Sequence, residues 1–427
     1  MAEFELFSES FPPIPDDLTL AQFILDSQHP SRPAQVHGAP WIIEDHTGVT
    51  RGRDELRERT SGLANGLGVR FNIKEDDVVL VFSPNHLDYL VVVWAVHRLG
   101  GIISGANPSF TPAELVYQIQ MTKASLLVTH PDALSVALSA ARTAKLPTDR
   151  IVLIGDKSLE PMQRTQPTHH TVSQYDFSHV RYVASGAAPL SEELMNRLVE
   201  IFPNASIGQS YGTTEGALIS TWPVDKQYEL SGSAGRIIPG VAARVEKHDG
   251  TLARFDEPGE LVVKTPSSAL GYFGNPEATR VTFVNGWLRT GDEVKMNKHG
   301  EIFVLDRIKE MLKVRGFQVA PAELEGCILD HPDVEDACVV GIPDEYSGEL
   351  PLAFVVLRQE AAKRTKEMPG AMDEMKRSIT KHVADNKAPY KKLAGGVEFV
   401  DSIPKNPSGK LLRRVLRDNA RRLRSKL

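Results

Sequence analysis

An α/β fold with a separate, mobile α+β C-terminal domain is what the sequence predicts, and three observations carry that expectation. Strand-like and helix-like segments alternate from about residue 50 to 154. Between 231 and 305 the pattern changes to short alternating runs with many glycines. From 306 to 427 it becomes mixed again and richer in Lys and Arg. A chain of 427 residues has room for two to three domains, or one large domain with an appendage. Hydrophobic residues at 41% and charged residues at 24% suffice for a large core and exclude disorder as the main state. A net charge of −6 gives no electrostatic case for a nucleic-acid partner. Two cysteines, Cys327 and Cys338, exclude a disulfide scaffold and an all-cysteine metal site.

Each element follows from its local pattern. Asp54 to Gly66 places Leu56, Leu63 and Leu67 at helical spacing. Asp77 to Phe82 reads as a buried strand, and Leu87 to Leu99 as a helix stopped by Gly100 and Gly101. Ile102-Ile103 is a short strand, Pro112 to Met121 a helix, Ser125 to Thr129 a strand and Pro131 to Ala144 a helix. Arg150 to Ile154 completes the series, and strands separated by helices argue a parallel, doubly wound sheet. The rhythm breaks in the polar stretch Gly155 to Ser178 and resumes at Val180 to Ala184. Gly259 to Lys264 and Glu301 to Leu305 read as antiparallel strands of a small β-barrel. The expected domains are therefore a sheet region at 1–230, incomplete after 155, a barrel-like subdomain at 231–305 and an α+β domain at 306–427. In 410–427, Leu411, Leu412, Val415 and Leu416 are the expected inward face of a basic amphipathic helix.

No basic n-region and apolar h-region open the chain, so no secretory signal is expected. The most apolar stretch, Leu87 to Ala106, contains Asp88, His97 and Arg98, so no membrane span is expected. Ser425-Lys426-Leu427 has the form of a peroxisomal address, which implies a peroxisomal location and an import receptor as partner.

One generic motif is present: Gly208-Gln-Ser210-Tyr-Gly212 fits the G-x-S-x-G nucleophile elbow, with Asp292 and His331 following in hydrolase order. A serine hydrolase using Ser210 is thus a distant alternative. The specific signal is a set of ordered segments. These are Ser185-Gly-Ala-Ala-Pro-Leu190, Gln209-Ser-Tyr-Gly-Thr-Thr-Glu215 and Gly259-Glu-Leu-Val-Val-Lys264 with Gly271-Tyr272. They continue with Trp287-Leu-Arg-Thr-Gly-Asp292, then Asp306 to Lys313 running into Arg315-Gly-Phe-Gln-Val-Ala-Pro321, and end with Asn406-Pro-Ser-Gly-Lys410. Together they resemble the adenylate-forming superfamily, most closely the 4-coumarate–CoA ligase-like acyl/aryl-CoA ligases, over essentially the whole chain.

That resemblance implies ATP, Mg²⁺ and coenzyme A as cofactors and a small carboxylic acid as substrate, converted to an acyl-AMP and then an acyl-CoA. By the resemblance, Gly186, Ala187, Ala188 and Gln209 shape the adenine slot, with Tyr211 stacked on the base beside Gly212. Thr214 would meet the α-phosphate and Glu215 would hold Mg²⁺. Asp292 would take the ribose hydroxyls, with Arg307 and Lys309 completing the nucleotide contacts. Asp306 would be the hinge. Rotation about it would present either the catalytic Lys410 for adenylation or the Lys313 side, with Arg315 and Gly316 toward CoA, for the thiol step.

The chain departs from this pattern in one large respect. Nothing between Gly155 and Ser185 resembles the Ser/Thr/Gly-rich loop that wraps the β- and γ-phosphates, and the segment lining the acid pocket is also missing. Such ligases usually run roughly a hundred residues longer. Smaller departures are Ser210 for a usual Gly, Thr213 for a usual Met and Arg315 for a usual Lys. The expected function is an aryl (cinnamate- or benzoate-type) or acyl acid–CoA ligase, in specialised metabolism or acid degradation. The alternative is a catalytically impaired binding or scaffold homologue.

Overall fold

The computed structural model describes residues 5–7, 15, 17–27, 38–45, 47–155, 176–186, 192–223, 232–368, 370–405 and 411–424. The chain divides into two units, Phe11–His169 and Met1–Ser10 with His170–Leu427.

In the first unit, Val78–Phe82 is a run of five apolar residues, all buried. Such a run belongs in a parallel sheet covered on both faces. Strands Ile102–Ala106, Val78–Phe82, Leu126–Thr129 and Ile151–Leu153 lie side by side in that order, all parallel. Side chains alternate between faces. Val79 and Val81 pack with Ala64 and Leu67 of helix Arg53–Phe71 and Val92 and Val96 of helix Tyr89–Arg98. Leu80 and Phe82 pack with Leu115 of helix Pro112–Thr122 and Ala137 of helix Leu134–Ala144. This is the doubly wound arrangement the alternation predicts. Thr111 starts its helix with a reciprocal capping box to Glu114. Gly100, at φ +72°, ends the preceding helix. The strand at Ile102 runs three residues further than expected, because Val78–Phe82 offers a full-length partner. Among the described residues no helix is long and apolar enough to cross a membrane.

The second unit holds three sheets. One pairs Tyr182–Ser185, parallel, with Ser206–Thr213, which turns back as a hairpin with Ala217–Thr221 and continues to Arg236–Ile237. The second is the expected antiparallel β layer: Glu5–Phe7, Ala242–Glu246, Gly259–Lys264, Trp287–Met296 and Phe283–Val284, with Ile302–Arg307 also on Trp287–Met296. Among the described residues its ladder runs from edge to edge without closing. The third contains Phe317–Val319, Leu312–Val314, Gly348–Leu357 and Val334–Asp344, with Gly396–Phe399 parallel to Gly348–Leu357. Helices Pro321–Leu329 and Ala371–Asn386 cover one of its faces. Helix Arg413–Arg424 covers the other through Leu416 and Ala420. Its inward face differs in part from the expected one: Leu411 and Leu416 pack on the sheet, whereas Leu412, which precedes the helix, and Val415 are exposed.

Candidate active site

Strand Trp287–Met296 alternates strictly between half-buried and buried positions, which turns Asp292 inward together with Leu288, Thr290 and Val294. A carboxylate on a buried face requires partners, and the sheet supplies them. Asp292 stands directly opposite Arg307 in register, and Arg307 Nε meets its Oδ1 at 2.8 Å. The Tyr211 hydroxyl donates to its Oδ2 at 2.5 Å. Burial, reinforced by the Asp292 charge, pushes the Tyr211 phenol above its usual range, so it remains a donor. Three residues widely separated in sequence thus form one cluster.

Tyr211 comes from the hairpin Ser206–Thr213/Ala217–Thr221, whose glycines are there for packing. A Cβ on Gly208 would lie 2.2 Å from Trp222 Cγ, and one on Gly212 2.3 Å from the Ala217 carbonyl. This accounts for the G-x-S-x-G match and overturns the hydrolase alternative. A nucleophile elbow needs a strand-to-helix turn. Ser210 instead lies inside a continuous strand, its Oγ 2.9 Å from Thr221 Oγ1. His331 does not face it; its Nε2 is 3.0 Å from Ser378 Oγ. Gly186 follows strand Tyr182–Ser185 beside the hairpin; its Cβ would sit 3.4 Å from the Ser210 carbonyl. Gln209 is buried. Ala187 and Ala188 lie outside the described residues.

At the hairpin tip Thr214 is exposed. Glu215 accepts a hydrogen bond from the Tyr272 hydroxyl at 2.7 Å. Tyr272 packs edge-on against Phe283, centroids 5.8 Å apart, and burial followed by the Glu215 contact raises its phenol pKa. Sequence reasoning quoted Gly271-Tyr272 as a motif without assigning Tyr272 a role. The neighbouring Gly271 is packed closely, since a Cβ there would meet Thr279 at 2.6 Å.

Beyond strand Ile302–Arg307 come Lys309, expected among the nucleotide contacts, and the expected thiol-side residues Lys313, Arg315 and Gly316. Lys309 is exposed and lines a cleft of about 180 Å³ with Glu349, Arg417 and Arg421. The Lys313 backbone donates to Glu349 Oε2 at 2.8 Å. Arg315 and Gly316, at φ +51° and +82°, form the two-residue turn between Leu312–Val314 and Phe317–Val319. Positive φ at both central positions is what such hairpins require. The Arg315 guanidinium lies over the Tyr346 ring, 5.6 Å from its centroid.

Asp306 is buried at the end of its strand. Its Oδ1 accepts from the Arg307 amide at 2.7 Å and its Oδ2 from the Ala322 amide at 3.0 Å, capping helix Pro321–Leu329. Burial raises its pKa against those hydrogen bonds. Lys410 and Ser425, Lys426 and Leu427 lie outside the described residues.

A family model described as AMP-binding enzyme matches residues 26–172 and 159–273, and one for the AMP-binding enzyme C-terminal domain matches 323–410. The first match is interrupted where the α/β rhythm breaks. A 4-coumarate-CoA ligase from Narcissus pseudonarcissus is 40% identical over 58% of this chain and 44% of its own length. An acyl-CoA ligase from Purpureocillium lilacinum is 38% identical over 58% of this chain and 64% of its own. The chain therefore spans about half the length of these curated relatives. A 4-coumarate–CoA ligase-like protein from Oryza sativa subsp. japonica aligns at 28% identity over 539 positions, covering 95% of this chain and 88% of the relative. With 427 residues here, more than a hundred of those positions have no counterpart in this chain. In fold, the chain is similar to an anthranilate CoA ligase in complex with anthranoyl-AMP. The TM-score is 0.78, with 20% identity over 95% of this chain and 98% of that one.

Proposed function

The chain belongs to the AMP-binding enzyme family, and on that premise we propose that it activates a small carboxylic acid with ATP and transfers the acyl group to coenzyme A. The observation that carries this reading is the Tyr211–Asp292–Arg307 cluster. It offers an aromatic face for a base, a carboxylate for a ribose diol and a cation beside them. Thr214, exposed at the hairpin tip, would donate to an α-phosphate. Glu215 keeps one oxygen clear of Tyr272, and Tyr272 steadies the other. Among the described residues no group of three His, Cys, Asp or Glu forms a ready metal cage. Mg²⁺ takes one or two carboxylates and fills its shell with phosphate oxygens and water. Glu215 would hold it there, and the ion would neutralise phosphate charge.

The acid is an aryl or acyl carboxylate. The cinnamate- and benzoate-type branch is favoured by the Gly316 to Pro321 run and by the likeness to the 4-coumarate and anthranilate ligases. The Ser425-Lys426-Leu427 tail supports a peroxisomal setting. A second reading, an impaired homologue that binds nucleotide without efficient turnover, is favoured by the missing phosphate-loop segment.

ATP–pyrophosphate exchange with cinnamate, benzoate and hexanoate tests the first reading. Lys410→Ala should lower adenylation by 10²-fold or more, the scale of a lost charge-stabilising group, and spare thioester formation from supplied acyl-AMP. Equal loss of both half-reactions counts against the assignment. No exchange with any acid favours the second reading.

A further inference from the structure

The hairpin tip that carries Thr214 and Glu215 is fastened from outside the hairpin, by residues 265–272, which follow strand Gly259–Lys264. Among the described residues three hydrogen bonds join the two. Ser267 Oγ donates to the Gly216 carbonyl at 2.8 Å, the Ala269 amide to the Glu215 carbonyl at 2.7 Å, and the Tyr272 hydroxyl to Glu215 Oε1 at 2.7 Å. A Cβ on Gly216 would lie 2.8 Å from Leu288 Cδ2, so the tip also rests on strand Trp287–Met296.

The phenol is fixed in its turn. The Tyr272 amide donates to Thr279 Oγ1 of helix Pro276–Thr282 at 2.9 Å, and the Tyr272 ring packs edge-on against Phe283. The hydroxyl therefore has a defined position, and it addresses one oxygen of Glu215 and not the other. Among the described residues no hydrogen bond or ion pair reaches Glu215 Oε2. A hydrogen bond to a charged group costs free energy to give up. An ion arriving at Glu215 is therefore met by Oε2, while Oε1 stays with Tyr272.

That asymmetry discriminates between cations. Mg²⁺ demands near-ideal octahedral geometry, which a single carboxylate oxygen suits, whereas Ca²⁺ is larger, takes more oxygens and readily accepts both oxygens of one carboxylate. We propose that Tyr272 is a specificity-determining residue of the metal site: by engaging Oε1 it keeps Glu215 a one-oxygen ligand and favours Mg²⁺ over Ca²⁺. This rests on the reading of Glu215 as the metal ligand. Ser267 and the Ala269 amide hold only the backbone of the tip, so they bear on both ions alike.

The test needs no turnover. The full chain is saturated with AMP, bound Mn²⁺ is read by electron paramagnetic resonance, and Mg²⁺ and Ca²⁺ are titrated in as competitors. In the parent, Mg²⁺ should displace Mn²⁺ at a lower concentration than Ca²⁺ does. Tyr272→Phe keeps the ring and its packing and releases Oε1. The ratio of the two displacing concentrations should then shift toward Ca²⁺ by about ten-fold, the scale of one hydrogen bond to a charged group. Ser267→Ala should weaken both ions by a similar factor and leave the ratio as in the parent.

An unchanged ratio in Tyr272→Phe overturns the proposal, and so does a parent that prefers Ca²⁺. The same shift in Ser267→Ala also overturns it, because the effect would then be a general loosening of the tip. Thr279→Val removes the acceptor of the Tyr272 amide and keeps the phenol. It should give a smaller shift in the same direction and serves if Tyr272→Phe fails to fold; an unchanged ratio there counts the same way. A parent that binds no Mn²⁺ beside AMP, or a Glu215→Gln variant that binds it as well as the parent, would instead defeat the reading of Glu215 as the metal ligand, and the selectivity with it.

Discussion

Tyr211 and Asp292, 81 residues apart, meet through a 2.5 Å hydrogen bond that occupies one carboxylate oxygen while Arg307 occupies the other. An ionised carboxylate has about four acceptor positions. The two partners fix the orientation of the carboxylate. A diol approaching Asp292 meets acceptors already aimed, which lowers the ordering cost of binding.

This relationship separates three substitutions. Asp292→Asn removes the charge from both hydrogen bonds and from the Arg307 pair, so AMP affinity should fall at least ten-fold. Charge-assisted hydrogen bonds are worth about 1.5–3 kcal/mol. Tyr211→Phe keeps the ring and loses only the orienting bond, so the loss should stay within about ten-fold. Tyr211→Ala also removes base stacking, worth about 1–3 kcal/mol, and should fall between the two or match Asp292→Asn. Calorimetry with AMP ranks them. A Tyr211→Phe variant as weak as Tyr211→Ala would show that the ring face is not the contact.

How much of this was legible in the sequence depended on whether the cause was local. Val78 to Phe82 announced a buried parallel strand because five consecutive apolar residues tolerate few other placements. Asp292 and Arg307 could be singled out by motif. Their pairing could not, because strand register joins residues through the sheet. Gly208 and Gly212 misled as a hydrolase pattern because their reason is the Trp222 ring and the Ala217 carbonyl, contacts made across the hairpin. Arg413 read as one more cation in a basic tail. Only burial against Glu310 and Glu325 distinguishes it from Arg414.

Glu293 should give a pH-dependent stability signature. It stands opposite Asp306 in the ladder, its Oε2 is buried without a hydrogen bond, and burial followed by the Asp306 charge raises its pKa. A carboxyl whose folded pKa is raised binds its proton more tightly in the native state, so stability falls as pH climbs from the unfolded pKa to the folded one. The cost is absent below the unfolded value and complete above the folded one. Glu293→Gln removes it. Melting temperature should rise by about 1–3 °C at pH 8, and the gain should shrink toward pH 4. A gain that grows toward acid would reverse the assignment.

Import should depend on Ser425-Lys426-Leu427. With a fluorescent protein fused to the N-terminus, the full chain should collect in peroxisomal puncta. Deleting the three residues should leave a diffuse signal. Puncta that persist without them would place the address elsewhere.

The missing phosphate segment leads to the most exposed prediction. Adenylation needs the β- and γ-phosphates held while the carboxylate attacks the α-phosphorus, a task of positioning and charge neutralisation. The family does this with glycine-rich backbone amides and a lysine, and no segment between Gly155 and Ser185 has that composition. The groups proposed for adenosine and α-phosphate, Tyr211, Thr214, Asp292 and Arg307, are all present, and three of them are already assembled. The chain should therefore bind AMP or an acyl-AMP at least as tightly as ATP. In an intact ligase the two extra phosphates add charge-assisted contacts worth about 1.5–3 kcal/mol each. Side-by-side titrations of AMP and ATP in Mg²⁺ give the ratio directly, and pyrophosphate exchange gives the rate. ATP binding ten-fold or more tighter than AMP, with exchange at the rate of a full-length ligase, would sink the prediction. It would mean that another part of this chain holds the β- and γ-phosphates.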